Sequence, residues 1–301
     1  MHLTDVHQIE VVHTRVFAAS PQGGNPCPVI PSADSLTDAQ MQALARKFGL
    51  DTVFVLNPSS NTADIRLRYF VPDHEMGVSG HATIAAITIA ILNNRLKSDK
   101  VRIETITGIF EVKTVMVRHS LIVTLEQNKP VFGPTVPPDG VARALRVPAS
   151  KIVLANSPIQ SVSVSRAKLL VPLLDSNVLD AVKPDYEALW KLCDQLQVTG
   201  LYPFTRQTSK ENTDAEGRQF PLRAGFPEDA ATGVAAAALG AYLATYDRKC
   251  RTGKYVFRIA QGYAMGAPSL IEAVVECRDQ GVTRTAVRGA AQVTGREHIA
   301  L

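Results

Sequence analysis

The stretch SGHATIAAITIAIL (residues 79–92) is apolar on every side after His81, and it reads as a helix that starts at Gly80. A helix with no polar face belongs inside a core, and this one is too short to cross a bilayer. A second element of the same kind, GVAAAALGAYL (residues 233–243), starts at Gly233, about 150 residues further on. Upstream of each lies a matching helix–glycine–strand element. In the first, Thr37 and Gln40 fit a capping box, Met41, Leu44, Ala45 and Phe48 recur at helical spacing, and Gly49 is placed to end the helix before the strand TVFVL (residues 52–56). In the second, PDYEALWKLCDQLQV (residues 184–198) is helical with Pro184 at or near its first turn, and Gly200 precedes the extended run LYPFTR. A repeat of this length is far too long for a solenoid and indicates two homologous domains in tandem.

The rest of the chain is mostly short β-like runs. IEVVHTRVFAA breaks at SPQGGNPCP, CPVIP resumes a short strand, and DIRLRYFV follows a turn at NPSSNT. VRIETI, FEVKTVMV, LIVTLE, KIVLA, QSVSVS, KYVFRIAQG and LIEAVVEC complete the set. One buried helix wrapped by many short strands fits this inventory better than alternating β-α-β units, so the expected class is α+β, with two pseudo-symmetric domains. The Pro- and Gly-rich segment EQNKPVFGPTVPPDG (residues 126–140) marks the boundary, with domains over 1–128 and 129–285.

Composition narrows the function. With 301 residues, 46% hydrophobic and 20% charged, the chain buries one large core or two ordinary ones and is not disordered. A net charge of +4 with scattered Lys and Arg argues against nucleic-acid binding. The opening MHLTDVHQIEVV lacks a basic and apolar leader pattern, and the apolar runs near 84–92 and 233–244 do not span a bilayer, so a soluble, cytoplasmic protein with no membrane partner is expected. Cys27, Cys193, Cys250 and Cys277 are far apart, so neither a zinc site nor a disulfide framework is suggested, and they read as reduced packing thiols.

A helix starting at Gly80 or Gly233 leaves its first backbone N–H groups unpaired at the positive end of its dipole, a favourable place for a carboxylate. If the two halves are related by twofold symmetry, both starts face one cleft and His81 and Asp229 are neighbours across it. Each candidate also has a plain structural reading. His81 can be a hydrogen-bonded residue at a helix start, Asp229 in FPEDAATG a cap of the second helix, and Asp51 a turn acid after a helix-ending glycine. Their matching places in a duplicated plan favour function, while spacing alone leaves the reaction open.

GGNPCPVI, FGLDTVFV, RYFVPDHEMGVSGHATIAA, FPEDAATGVAAAALGAYL and AQGYAMGAPSLIEA closely resemble, in order, the motifs of the phenazine-biosynthesis isomerase family, called PhzF-like. The resemblance runs from about Val16 to the closing AVRGAAQVTG. It implies the diaminopimelate epimerase-like fold: two similar domains, each a β-barrel-like sheet around a central helix, with an active site in the cleft between them. Strands from about 286–301 would then complete the first domain. The resemblance further implies an enzyme without cofactor or metal, a homodimer, that moves a proton on a small carboxylate-bearing substrate. The phenazine enzyme isomerises trans-2,3-dihydro-3-hydroxyanthranilate. The family's catalytic glutamate falls on Asp51, its histidine on His81 and its second-loop aspartate on Asp229. Asn25, Ser79, Gly80, Thr232 and Gly233 fall where the family binds substrate.

Three positions depart from the pattern. Asp51 is one methylene shorter than glutamate, a change in reach of roughly 1.5 Å, Val234 replaces a serine, and Ala267 replaces an arginine. The expected chemistry is general acid/base catalysis, with Asp51 as base and then acid, and His81 and Asp229 orienting the substrate. Neither glycine loop carries the cysteine of a two-thiol racemase. An epimerase or lyase on the same scaffold, or a binder without turnover, stand as alternatives.

Overall fold

The computed structural model describes residues 8–246, 251–278 and 281–301. The chain forms two compact units. One comprises Asn25–Leu125 and Gly289–Leu301 with the chain up to Ala18, and the other Ala19–Gly24 and Glu126–Arg288. Ala19–Gly24, part of the first domain in the sequence reading, groups with the second unit because Ala19 and Gly24 donate backbone hydrogen bonds to the Pro268 carbonyl, at 3.0 and 3.2 Å.

In the first unit, β1 (Gln8–Val16) pairs antiparallel with β2 (Asn25–Ile30). Along its other edge β1 pairs with the C-terminal strand Ala291–Ala300, from Gln8 opposite Ala300 to Val16 opposite Ala291. Phe17 ends β1 short of the sequence expectation by turning to φ 64°, a left-handed value costly for a bulky residue. Helix α1 (Asp38–Phe48) leads to β3 (Thr52–Leu56), parallel to β2, and β4 (Ile65–Phe70) follows antiparallel. The capping box at Thr37 and Gln40 is formed, and Gly49 ends α1 at φ 65°. Met41, Leu44 and Ala45 pack on Ile30, Phe54 and Phe70. The two-residue β5 (Glu75–Met76) precedes α2 (Gly80–Leu92). Then β6 (Lys100–Thr105) runs parallel to β4 and starts a meander through β7 (Gly108–Val117) and β8 (Ser120–Gln127). Every residue of α2 from Ala82 to Ala90 is buried, and the helix touches β1, β2, β3, β4 and the C-terminal strand.

The second unit repeats this connectivity. It opens with β9 (Val131–Thr135), inside the segment read from the sequence as a boundary, and α3 (Pro138–Leu145), which starts there and runs beyond it. The run KIVLA is not a strand: Ala149–Lys151 is a 3-10 turn, and Ile152 makes a single bridge to Leu173. Next come β10 (Gln160–Ser163), β11 (Ala167–Pro172), α4 (Ser176–Asp180) and α5 (Tyr186–Leu196). Asp185 caps α5, its carboxylate accepting the Ala188 N–H, and Pro184 stands just before the cap. Strand β12 (Gly200–Thr205) is parallel to β11 as β3 is to β2. After β13 (Ala215–Gly217), β14 (Phe220–Pro221) and α6 (Gly233–Tyr246), β15 (Gly253–Gln261) runs parallel to β13 as β6 does to β4. The meander ends through β16 (Ser269–Arg278) and β17 (Gly281–Gly289).

Strand alternation sorts the faces of this unit. Leu169, Val171 and Leu201 lie in an apolar layer with Leu145 of α3 and Leu189 and Cys193 of α5. Tyr202 and Phe204 point the other way, where the Phe204 ring meets Tyr242 of α6 at 5.5 Å. Ala235 through Ala244 of α6 are all buried. Cys27, Cys193 and Cys277 are free and buried, while Cys250 lies outside the described residues. Among the described residues no helix is long and apolar enough to cross a membrane.

Candidate active site

In the first unit, Asp51 occupies the one-residue step between Leu50 and β3, and α2 starts beside it. Ser79 is the N-cap of α2 but makes no capping bond. Its hydroxyl instead lies 3.4 Å from Asp51 Oδ2 and 3.4 Å from His81 Nδ1. His81 Nε2 stands 3.6 Å from the same Asp51 oxygen, beyond hydrogen-bond length, and is buried with no hydrogen-bond partner. The side chains of His81 and Asp51 are 14% and 23% exposed, so the pair is sheltered without being sealed.

Buried bonds hold this arrangement. Tyr69 on β4 shares a 2.8 Å hydrogen bond with Thr83, and the Thr83 hydroxyl donates at 2.7 Å to the Ser79 carbonyl. Burial holds the Tyr69 phenol far above its ordinary pKa, so it remains a protonated donor. The Cys27 thiol on β2 is pushed up by burial and then by the Asp51 carboxylate, which keeps it neutral. Asn25 opens β2 opposite Val16, and Gly80 is the exposed first residue of α2.

In the second unit, Asp229 bridges Gln219 through an N–H to carbonyl bond of 3.1 Å, and Thr232 donates its hydroxyl to Asp229 Oδ2 at 2.5 Å. Asp229 therefore binds the Thr232 side chain just before α6, which starts at Gly233. Gln261, at the end of β15 and 1% exposed, brackets this loop. Its amide nitrogen donates to the Asp229 carbonyl at 2.7 Å and to the Thr232 hydroxyl at 3.1 Å. Its amide oxygen accepts from Tyr202 at 3.0 Å and from the Thr232 N–H at 3.3 Å. Gly262, at φ 80°, follows, and a β-carbon there would lie 2.6 Å from the Ala230 carbonyl and 2.3 Å from that of Ala267. Ala267 is thus packed one residue away from the Asp229 loop.

The structure brings Asp51, Ser79 and His81 together in the first unit, and Asp229 and Thr232 in the second. Sequence reasoning missed Gln261 and Tyr202. Gln261 lies inside the quoted motif AQGYAMGAPSLIEA, and a polar residue ending an apolar strand just before a glycine was the available signal. Among the described residues, no group of three or more His, Cys, Asp or Glu side chains is placed to hold a metal ion.

Comparison with known proteins bears on the whole chain. The sequence profile of the PhzC-PhzF family, described as phenazine biosynthesis-like protein, matches residues 14–296. The chain is 33% identical to an uncharacterized isomerase, YddE, of Escherichia coli O157:H7, over 94% of this chain and 96% of that one. It is 30% identical to the trans-2,3-dihydro-3-hydroxyanthranilate isomerase of Pseudomonas fluorescens, over 95% and 97% of the two chains. The crystal structure of a PhzF-family phenazine biosynthesis protein from Bacillus anthracis superimposes with a TM-score of 0.90 at 27% identity, covering 98% of this chain and all of that one. With a family match over nearly its full length and relatives that are isomerases, the chain belongs to the phenazine biosynthesis-like PhzC-PhzF family and is an isomerase.

Proposed function

We propose that the protein moves a proton between two carbons of a small carboxylate-bearing substrate without a cofactor, Asp51 acting first as base and then as acid. The observation that carries this reading is the triple of Asp51, Ser79 and His81, with His81 Nε2 buried, unbonded and 3.6 Å from Asp51 Oδ2. A single carboxylate that takes a proton from one carbon and returns it two carbons along completes a 1,3-shift, the double bond moving in the opposite direction, with no net change in charge or redox state. The gaps of 3.4 to 3.6 Å within the triple suit groups that tighten onto a substrate, as catalytic bonds commonly do.

In this reading His81 hydrogen-bonds the oxygen on which enolate-like charge develops, and the start of α2, which has no side-chain cap, gives its backbone N–H groups to a carboxylate. Asp229 and Thr232, with Asn25, Gly80 and Gly233, act on the same substrate as orienting groups. A homodimer in the cytoplasm is the proposed working form, as in the family the chain resembles.

The test is proton NMR in D₂O of the purified protein with trans-2,3-dihydro-3-hydroxyanthranilate and a panel of small 3-hydroxy and α-amino acids, wild type beside Asp51→Asn. Isomerisation or deuterium uptake lost in the variant supports the assignment. Turnover that survives Asp51→Asn removes it, and identification of the product separates isomerisation from epimerisation or water loss.

A further inference from the structure

Two polar side chains on the inner face of the second unit have bonding capacity that the fold leaves unused. Gln219 is 1% exposed, and neither its amide nitrogen nor its amide oxygen has a hydrogen-bond partner. Its antiparallel bridge to Asp229 puts the two side chains on one face. Its nitrogen fills the space beside Gly200, where a β-carbon would come within 2.4 Å of it.

Lys168 is the neighbour of Gly200 on β11, because Leu169 is in register with Leu201. It is 5% exposed, and its ammonium donates one long hydrogen bond, 3.4 Å to the Thr199 carbonyl, leaving donors to spare. Burial pushes this lysine down to about 8, while the Asp229 carboxylate acts in the opposite sense and Arg166 in the same one. Ammonium, amide and Asp229 thus gather around the start of β12. In the repeated plan this is the place that Asp51 holds in the first unit, since Thr199 immediately precedes β12 as Asp51 immediately precedes β3.

Buried polar groups in folded proteins are bonded almost without exception, so an amide with neither partner beside an ammonium with spare donors marks groups that a ligand completes. We propose that Lys168 and Gln219 form a substrate-recognition pair. The ammonium and the amide N–H take a carboxylate oxygen, and the amide oxygen takes a hydrogen from a hydroxyl or amino group on the neighbouring carbon. The assignment rests on Asp229 belonging to the active site, and it makes these two residues the selectors for acids that carry such a donor beside the carboxylate. Gly200 is part of the design, because any side chain there would displace the amide.

The test uses the full chain with two stable probes, 2-aminobenzoate, which has the adjacent donor, and benzoate, which lacks it. In wild-type protein labelled with [13C]lysine, 2-aminobenzoate shifts the Lys168 side-chain signal and binds about tenfold more tightly than benzoate. Gln219→Leu brings the two affinities within about twofold of each other, Lys168→Met weakens both by about tenfold or more, and Lys168→Arg recovers most of that loss. Wild type that binds neither probe at about 20 mM, or variants that bind both as wild type does, overturns the proposal. Should the variants fail to fold, a Lys168 signal unmoved by 2-aminobenzoate in wild type overturns it equally. The proton-shuttle reading fails by a separate result, deuterium exchange retained in Asp51→Asn.

Discussion

Asp51 stands where the pattern this chain resembles has a glutamate, keeping the carboxylate but shortening its reach. A Glu side chain at this position would carry its carboxylate roughly 1.5 Å further, while Asp51 already stands 3.6 Å from His81 Nε2. We therefore expect Asp51→Glu to lower kcat on the native substrate by about 10- to 100-fold, with folding intact, because the base is then misplaced relative to the reacting carbon. Steady-state kinetics beside a thermal melt checks this; unchanged kcat would mean that the loop absorbs the extra methylene.

Gln261 gives a second prediction of a different kind. Replacing it with Leu strands the Tyr202 hydroxyl, the Thr232 N–H and the Asp229 carbonyl, each of which now bonds to the amide. Stranded buried groups cost ~1–3 kcal/mol each. Gln261→Leu should therefore lower stability by about 3 kcal/mol or more in chemical denaturation, and any folded protein should lose activity through the displaced Asp229.

At the scale of elements, the central helices are held by closeness as much as by apolar character. Gly240 of α6 lies against β16, and a β-carbon there would come within 2.7 Å of the Ala273 β-carbon and 3.2 Å of Val275. Gly240→Val should cost about 2 kcal/mol or more, since overpacking against a backbone-anchored strand outweighs the gain of about 1 kcal/mol that removing a helical glycine can bring. Denaturant titration measures it, and a neutral result would mean that the strand yields.

Much of this level was legible beforehand, because the signals are local. The capping box at Thr37, the αL turn at Gly49 and the two uniformly apolar helices follow from neighbouring residues alone. KIVLA failed for the complementary reason: a β-branched run has strand character only if a partner edge is present, and here Ile152 finds one bridge and Lys151 sits in a 3-10 turn. Helix α3 was hidden by Pro137, Pro138 and Gly140, which read as punctuation although Pro138 starts the helix. Asp51, His81 and Asp229 were candidates by their place in the repeat. Gln219 and Lys168 were not, because only strand register brings them to one spot.

For the molecule as a whole, the two units share one connectivity yet place different groups at the starts of β3 and β12: the acid Asp51 before β3 in the first, and in the second the buried ammonium of Lys168, which reaches the Thr199 carbonyl before β12 from β11. That lysine bears on global stability. Its folded pKa of about 8 lies below the ordinary lysine value of 10.5. Below about pH 8 both the folded and the unfolded chain hold the proton, and the cost of the buried charge is fully present. Between about 8 and 10.5 the unfolded chain still holds a proton that the folded chain has released, so this group makes stability rise with pH across that window. Lys168→Met should therefore stabilise the protein at pH 7, on the order of 2 kcal/mol, and the advantage over wild type should shrink as pH rises toward 10. Urea titrations of both proteins at pH 7 and pH 10 isolate the lysine, since every other titrating group is common to the pair. A variant more stable yet unable to bind 2-aminobenzoate would mean that the buried charge is kept for recognition at the expense of stability. A variant less stable at pH 7 would mean instead that the ammonium's bond to the Thr199 carbonyl and its attraction to Asp229 support the fold.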